Sequence, residues 1–90
     1  MTWTIEYAAS VRKSVRRLDR QVQRRIRDFL ELRLAEMEDP RQLGAPLSGT
    51  RYRDLWRFRV GNYRVIAKIN DRDRRILIVR VAHRREAYGP

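Results

Sequence analysis

The sequence predicts an α+β fold in which a helical hairpin packs on one face of a small, mostly antiparallel four-stranded sheet. Two observations lead to this prediction. Apolar residues recur with helical spacing between residues 10 and 37, whereas strand-like alternation occurs once before that stretch and three times after it. The order is therefore β-α-α-β-β-β, and three successive strands favour an antiparallel meander. Ninety residues are enough for one domain, 1–90, with a thin core.

The first half of the chain is predicted to form one strand and two helices. In the strand, three apolar residues alternate with polar ones: Trp3, Ile5 and Tyr7. The first helix opens near Ser10 and carries an apolar face of Val11, Val15 and Leu18. Asp19 is the expected N-cap of the second helix, which ends before Pro40 because the residue before a proline avoids the α conformation. The apolar stripe of the second helix comprises Val22, Ile26, Phe29, Leu30, Leu34 and Met37.

The second half is predicted to form a loop at 41–54 and then three strands. Strands at 55–60 and 63–69 flank Gly61 and Asn62, two residues that tolerate the positive φ of a tight hairpin turn. A polar turn at 70–73 leads into a last strand at 76–82. Because this last strand is apolar on both faces over its first half, we expect it in the interior of the sheet.

The hairpin at 55–69 is expected to carry both a core face and a charged face. Trp56, Phe58 and Val60 alternate with arginines, and successive side chains on a strand point to opposite faces. The basic residues of the two strands therefore share the outer face. We call this set the cationic plate: Arg57, Arg59, Arg64 and Lys68.

The charge of the chain points to a polyanionic partner. The formal net charge is +11, and residues 41–90 hold thirteen of the 22 Lys/Arg residues but only four of the 11 Asp/Glu residues. Nucleic acid is the first expectation and an acidic protein the second. Most of the basic residues are arginine, which suits bidentate phosphate binding and is equally what genomic codon bias would give.

Composition also narrows the class of protein. The chain has no cysteine, which excludes a disulfide framework and a cysteine metal site and suits a reducing cytosol. No apolar run is long enough for a secretory signal or a membrane span. We therefore expect a cytoplasmic protein without metal, cofactor or membrane contact.

The segment order and three stretches resemble the RelE/ParE superfamily, the toxins of bacterial type II toxin–antitoxin systems. The stretches are the loop at 47–49, the strand pair at 55–66 and the tail at 81–88. The tail reads His-Arg-Arg-x-x-Tyr and resembles the RelE branch, which cleaves messenger RNA in the ribosomal A site. The ParE branch shares the fold, inhibits DNA gyrase and typically lacks this tail.

The resemblance implies roles for individual residues. Arg57 and Arg59 match paired basic residues of the family, and Arg64 matches an arginine that contacts the scissile phosphate. Arg84 matches an arginine at the leaving 5′ oxygen, and Tyr88 a tyrosine that stacks on or orients the substrate base. In the family, the RNA 2′-hydroxyl attacks its own phosphate and leaves a 2′,3′-cyclic phosphate and a 5′-hydroxyl, and the resemblance implies the same reaction here. Further RNA contacts are expected at Arg53, Lys68, Arg80, His83 and Arg85.

The general base is the open point of this assignment. The archetype of the family has lysines where this chain has Arg57 and Arg59, and an arginine, with a pKa above about 12, cannot act as a base. The candidates are Tyr88, His83 and Lys68, or catalysis without a base.

The resemblance also implies two partners: an antitoxin with an acidic, partly disordered segment, and a ribosome with mRNA in its A site. The alternatives are a ParE-like gyrase inhibitor and a non-catalytic RNA-binding module.

Overall fold

Five strands and two helices make up residues 2–47 and 54–86, the part of the chain described in a computed structural model. The strands are β1 (Thr4–Tyr7), β2 (Gly44–Pro46), β3 (Leu55–Val60), β4 (Tyr63–Asn70) and β5 (Arg75–His83). The helices are α1 (Ala9–Arg16) and α2 (Arg20–Asp28). A π-helical turn (Phe29–Arg33) and a 3₁₀ turn (Leu34–Glu36) continue α2, and a second 3₁₀ turn (Pro40–Leu43) precedes β2.

The strands form one mixed sheet in the order β1-β5-β4-β3-β2. β3, β4 and β5 are an antiparallel meander, and β1 pairs with β5 in parallel. The predicted α+β class and meander are therefore confirmed, as is the interior position of the last strand. The β3–β4 turn has two residues, with Gly61 at φ 60, where L side chains are strained.

The predicted strand count is wrong, because the sheet has five strands rather than four. The additional strand, β2, lies in the predicted loop and pairs with β3, with Ala45 opposite Arg57. Three residues that include a glycine and a proline show no alternation, and proline is tolerated at such an edge. A Cβ at Gly44 would lie 2.7 Å from the Arg57 carbonyl oxygen and 2.7 Å from the Phe58 ring. This strand can therefore lie against β3 only because its first residue has no side chain.

The core lies between the helices and one face of the sheet. Val11 of α1 and Ile26 of α2 are buried, as are Leu30 and Leu34 in the turns that follow α2. They belong to one cluster with residues of the sheet: Phe58, Val65, Ala67, Ile76 and Ile78. The predicted apolar stripes of both helices therefore face the core. Within residues 2–47 and 54–86, no helix is long and apolar enough to cross a membrane.

The helix boundaries differ slightly from the predicted ones. Ala8, not Ser10, is the N-cap of α1, and the Ser14 hydroxyl donates to the Ser10 carbonyl inside the helix. Asp19 is the N-cap of α2 as predicted, but its side chain makes no capping hydrogen bond. The helical turns end at Glu36, since Met37 is extended.

Candidate functional site

The register of β3 and β4 brings two arginines together on the outer face of the sheet. Arg59 is directly opposite Arg64, and both alternate with residues of the buried core. On β5, the residue opposite Arg64 is Ala82, whose small side chain leaves room above the strand. Like charges directly opposite each other destabilise a sheet. The fold therefore keeps an unfavourable pair that an anion between the two guanidinium groups would relieve.

The turn between β3 and β4 fixes the position of Arg64. Its Nη1 atom donates to the carbonyl oxygens of Gly61, at 3.1 Å, and Tyr63, at 2.9 Å. The other carbonyl of the turn, that of Asn62, accepts from the backbone N–H of Arg84 at 2.7 Å. The segment after β5 is therefore held against the same turn that carries Arg64. Only the backbone of Arg84 makes this contact, and the Arg84 side chain is exposed.

The remaining basic residues of the plate lie further from the turn. Arg57 is opposite Ile66, which in turn is opposite Arg80. Ile66 is only 4% exposed although it lies on the outer face, and the hydrocarbon stems of arginines can cover such a neighbour. The Arg80 Nη2 atom donates to the Glu86 carbonyl at 2.8 Å. Lys68 is exposed four residues along β4 from Arg64, about 13 Å at the usual rise per residue.

His83 lies on the opposite face from Arg64. It pairs with Tyr63, and the two rings meet edge to face with centroids 5.5 Å apart. Its Nδ1 atom accepts from the Arg85 N–H at 3.3 Å. The sheet backbone therefore separates this imidazole from the Arg59–Arg64 pair. Arg85 itself is exposed, while Arg53 and Tyr88 fall outside the described residues, as do Ser48 and Gly49 of the loop.

Helix α2 contributes a further arginine that the sequence patterns do not identify. The guanidinium of Arg25 lies against Gly61, and its Nη1 and Cζ atoms are 3.0 and 3.1 Å from the position of a Cβ there. The β3–β4 turn therefore has Arg25 beside it as well as Arg64. Gly61 allowed the turn to be predicted from the sequence. Nothing in the sequence indicated which helical residue would lie next to that turn.

Tyr7 lies away from the plate, on the helix side of the sheet. Its hydroxyl donates to Glu31 Oε2 at 2.7 Å, beside a groove between α1 and α2. Burial and then this hydrogen bond raise the pKa of Tyr7 above the ordinary value of a tyrosine. Residues 2–47 and 54–86 contain no group of three or more His, Cys, Asp or Glu side chains suited to a metal ion.

The comparison with protein families decides which family the chain belongs to. Residues 5–88 match the family model of the ParE toxin of the type II toxin–antitoxin system, parDE. The chain belongs to this family. It is thus a toxin of a type II toxin–antitoxin system within the RelE/ParE superfamily, as its resemblance to that superfamily predicted. No curated protein matches the sequence of the toxin.

Solved structures with the same fold come from RelE proteins and their complexes. In the archaeal RelE–RelB complex from Pyrococcus horikoshii OT3, a chain is 32% identical, with a TM-score of 0.76 and coverage of 97% of the toxin and 100% of that chain. The RelBE2 toxin–antitoxin complex from Mycobacterium tuberculosis gives a TM-score of 0.82 at 23% identity, covering 92% of each chain. A mutant of the E. coli toxin RelE in the free state gives 0.73 at 19% identity, covering 97% and 88%. The last two show the fold alone.

Proposed function

We propose that the toxin is an endoribonuclease that cleaves mRNA on the ribosome and binds the scissile phosphate at the Arg59–Arg64 pair. The observation that supports this proposal is the register, because two arginines face each other beside the turn that holds the segment of Arg84. Guanidinium groups donate paired hydrogen bonds to phosphate oxygens. Two of them opposite each other at one end of an open sheet face, with the backbone of Arg84 held at the same turn, suit a phosphate that gains charge during a reaction.

The proposed reaction needs no metal ion. The 2′-oxygen forms a bond to phosphorus, the bond from phosphorus to the 5′-oxygen breaks, and the products are a 2′,3′-cyclic phosphate and a 5′-hydroxyl. Arg59 and Arg64 stabilise the charge on the pentavalent phosphorus. Arg84 donates a hydrogen bond to the leaving 5′-oxygen, which takes its proton from solvent water. Preorganised donors of this kind contribute about 10²–10³ in rate each. Arg64 is suited to this role because its hydrogen bonds to the turn restrict its head.

The proposed mechanism does not use Lys68 or His83 as the general base. Lys68 lies four residues from Arg64, and His83 lies on the other face of the sheet. We assign the 2′ proton to solvent water, with the cationic plate making the hydroxyl more acidic, and Tyr88 to orienting the substrate base. The ribosome supplies in-line positioning, which is itself a large contribution to rate.

We also propose a cognate antitoxin as the partner that keeps the toxin inactive in the cytoplasm. RelE is bound to RelB in the archaeal complex that the toxin resembles at 32% identity. An acidic, partly disordered segment would neutralise Arg59, Arg64 and their neighbours by ion pairing and cover them at the same time. Copurification of a co-expressed neighbouring small protein, with relief of toxicity, tests this partner. A neighbour that neither copurifies nor relieves growth arrest contradicts it.

Mapping of mRNA ends in a reconstituted translation assay tests the endonuclease. We expect Arg64→Ala and Arg84→Ala each to slow A-site cleavage by about 10²–10³, since each removes one preorganised donor. Arg72→Ala is the matched control, because Arg72 is exposed in the β4–β5 turn at the far end of the same strand. Thermal unfolding of each variant verifies the fold. Full cleavage by both Arg64→Ala and Arg84→Ala overturns the proposal.

A second candidate function, inhibition of DNA gyrase, has one observation in its favour: the matching family model is that of the ParE toxin. A gyrase inhibitor would block supercoiling in vitro, leave mRNA intact and work without Tyr88. A non-catalytic RNA-binding module would bind RNA with a steep salt dependence and give no cleaved product. A supercoiling assay run beside the translation assay separates the three functions.

A further inference from the structure

A polar cleft lies between α1 and the end of β5, on the helix side of the sheet. Its volume is about 520 Å³, within the range of small-molecule sites. Polar residues from α1, β4, β5 and the turn after β5 line it, among them Ser10, Ser14, Arg17, Tyr63, His83 and Glu86. The proposed phosphate site on the outer face leaves this cleft without a role.

The chemistry of the cleft suits a nucleotide. Tyr63 and His83 form one wall, with their rings 78° apart. Aromatic and imidazole rings are the side chains on which unpaired bases stack. Because His83 Nδ1 accepts the Arg85 N–H, the neutral ring carries its proton on Nε2 and can donate a hydrogen bond from it. Arg17 is exposed at the C-terminal end of α1 and makes no ion pair within residues 2–47 and 54–86.

The cleft and the cationic plate lie on opposite faces of the sheet, at the same ends of β4 and β5. Tyr63 lines the cleft and Arg64, the next residue, belongs to the plate. Likewise His83 lines the cleft, while the N–H of Arg84 is bound to the β3–β4 turn. Only one layer of backbone separates the two surfaces at this edge. The β3–β4 turn is therefore the place where one strand of RNA can contact both surfaces.

We propose that this cleft is a nucleotide-binding subsite, which takes a base against Tyr63 and His83 and a phosphate at Arg17. The subsite accepts single-stranded RNA only, because a base inside a duplex is not available for stacking in a cleft. The inference deepens the proposed function and rests on it, since the nucleotide belongs to the RNA strand that the plate holds. It adds a second contact beyond the scissile phosphate and predicts that residues on α1 affect substrate binding.

The test is binding of a 2′-O-methyl RNA trinucleotide, which cannot be cleaved through its 2′ oxygens. We expect amide chemical-shift changes at Ser14, Arg17, Tyr63 and His83 on titration of the full chain. Arg17→Gln should weaken the affinity about tenfold, and Tyr63→Leu should weaken it by about 5- to 150-fold, the range for loss of one stacked base. Lys13→Gln is the matched control, because Lys13 is an exposed cation on the same helix but does not line the cleft. Thermal unfolding verifies that Tyr63→Leu retains the fold.

Two results overturn the subsite. One is an equal loss of affinity for Arg17→Gln and Lys13→Gln, which indicates surface attraction without a cleft. The other is a set of shift changes limited to the outer face of the sheet. If the toxin binds the trinucleotide in the cleft but does not cleave mRNA, the proposed endonuclease activity is refuted and the subsite is retained. Normal mRNA cleavage by a toxin whose cleft shows no shift changes refutes the subsite and retains the endonuclease.

Discussion

At the scale of single residues, the β3–β4 turn concentrates positive charge because Gly61 has no side chain. Its φ of 60 would strain any other residue by about 1–2 kcal/mol. A side chain there would also displace the Arg25 guanidinium, which lies 3.0 Å from the position of its Cβ. One glycine therefore both shapes the turn and admits an arginine from α2, while Arg64 is bound to the carbonyl of the same glycine. We infer that Arg25 adds to the phosphate site.

The substitution Arg25→Gln tests this residue through the salt dependence of RNA binding. Each phosphate contact to single-stranded RNA contributes about 0.7 to the slope of log K against log salt. We expect the slope to decrease by about that amount in Arg25→Gln, with no change in the unfolding temperature beyond about 3 °C (roughly 0.5 kcal/mol). Arg24→Gln, one residue away and also exposed, should retain the slope of the unaltered toxin. Equal slopes for the two variants would show that Arg25 makes no specific contact.

At the scale of elements, one ion pair joins two connecting segments that are far apart in the sequence. Arg41, in the 3₁₀ turn before β2, donates to both carboxylate oxygens of Asp71 in the β4–β5 turn, at 2.9 and 2.6 Å. Its guanidinium also lies over the ring of Trp56 on β3, 5.6 Å from the centroid. The hydrogen bond from Arg41 holds the pKa of Asp71 below its usual value. This contact therefore connects the segment of the short edge strand to the central strands.

The variant Asp71→Asn should be less stable than the unaltered toxin at neutral pH but not in acid. A carboxyl whose pKa is lower in the folded state stabilises the fold above its unfolded pKa, about 3.9, and loses that contribution as pH falls through the folded value. Asp71 is two-thirds exposed, so solvent screening limits the effect to about 1 kcal/mol or less. Urea unfolding at pH 7 and at pH 3 measures the difference. Asp28→Asn, which removes an exposed carboxylate without an ion pair in the described part of the chain, should show no such loss. A difference that persists undiminished at pH 3 would contradict the assignment.

The elements that the sequence predicted are those whose pattern is local. The stripe through Ile26 and Leu30 and the alternation on β3 and β4 each repeat often enough to indicate one buried face. β2 was missed because its pairing with β3 is long-range and its three residues carry no period. The position of His83 could not be predicted either, since it depends on a register shift between β4 and β5 near Ile66. The approach of Arg25 to the turn likewise depends on tertiary packing.

At the scale of the whole molecule, positive charge lies on both sides of the sheet. Residues 9–28 hold eight Lys/Arg residues, all exposed, against two Asp residues. Most of the acidic residues in the first half of the chain lie at 31–39. A charge count over residues 1–40 as a whole therefore does not reveal the basic surface of the two helices. The ion pairs that residues 2–47 and 54–86 make with one another take their cations from Arg41 and Arg75. A net charge of +11 therefore leaves the compact state with substantial self-repulsion.

Added salt should stabilise the toxin, and phosphate should stabilise it more than chloride at equal ionic strength. Screening weakens the repulsion for either anion, whereas phosphate also binds the Arg59–Arg64 pair of the folded state. At about ten times its dissociation constant, a bound anion adds about 1.4 kcal/mol, and each kcal/mol shifts the unfolding temperature by about 4–8 °C in a domain of this size. Phosphate also stabilises proteins because it is preferentially excluded from their surfaces. The measured quantity is therefore the excess, which is the rise in unfolding temperature in phosphate minus the rise in chloride, and it is compared between two variants of equal charge. Arg59→Gln/Arg64→Gln should lose the excess and Arg20→Gln/Arg72→Gln should retain it, since only the first variant removes the facing pair; an equal excess in both would show that the pair does not bind phosphate.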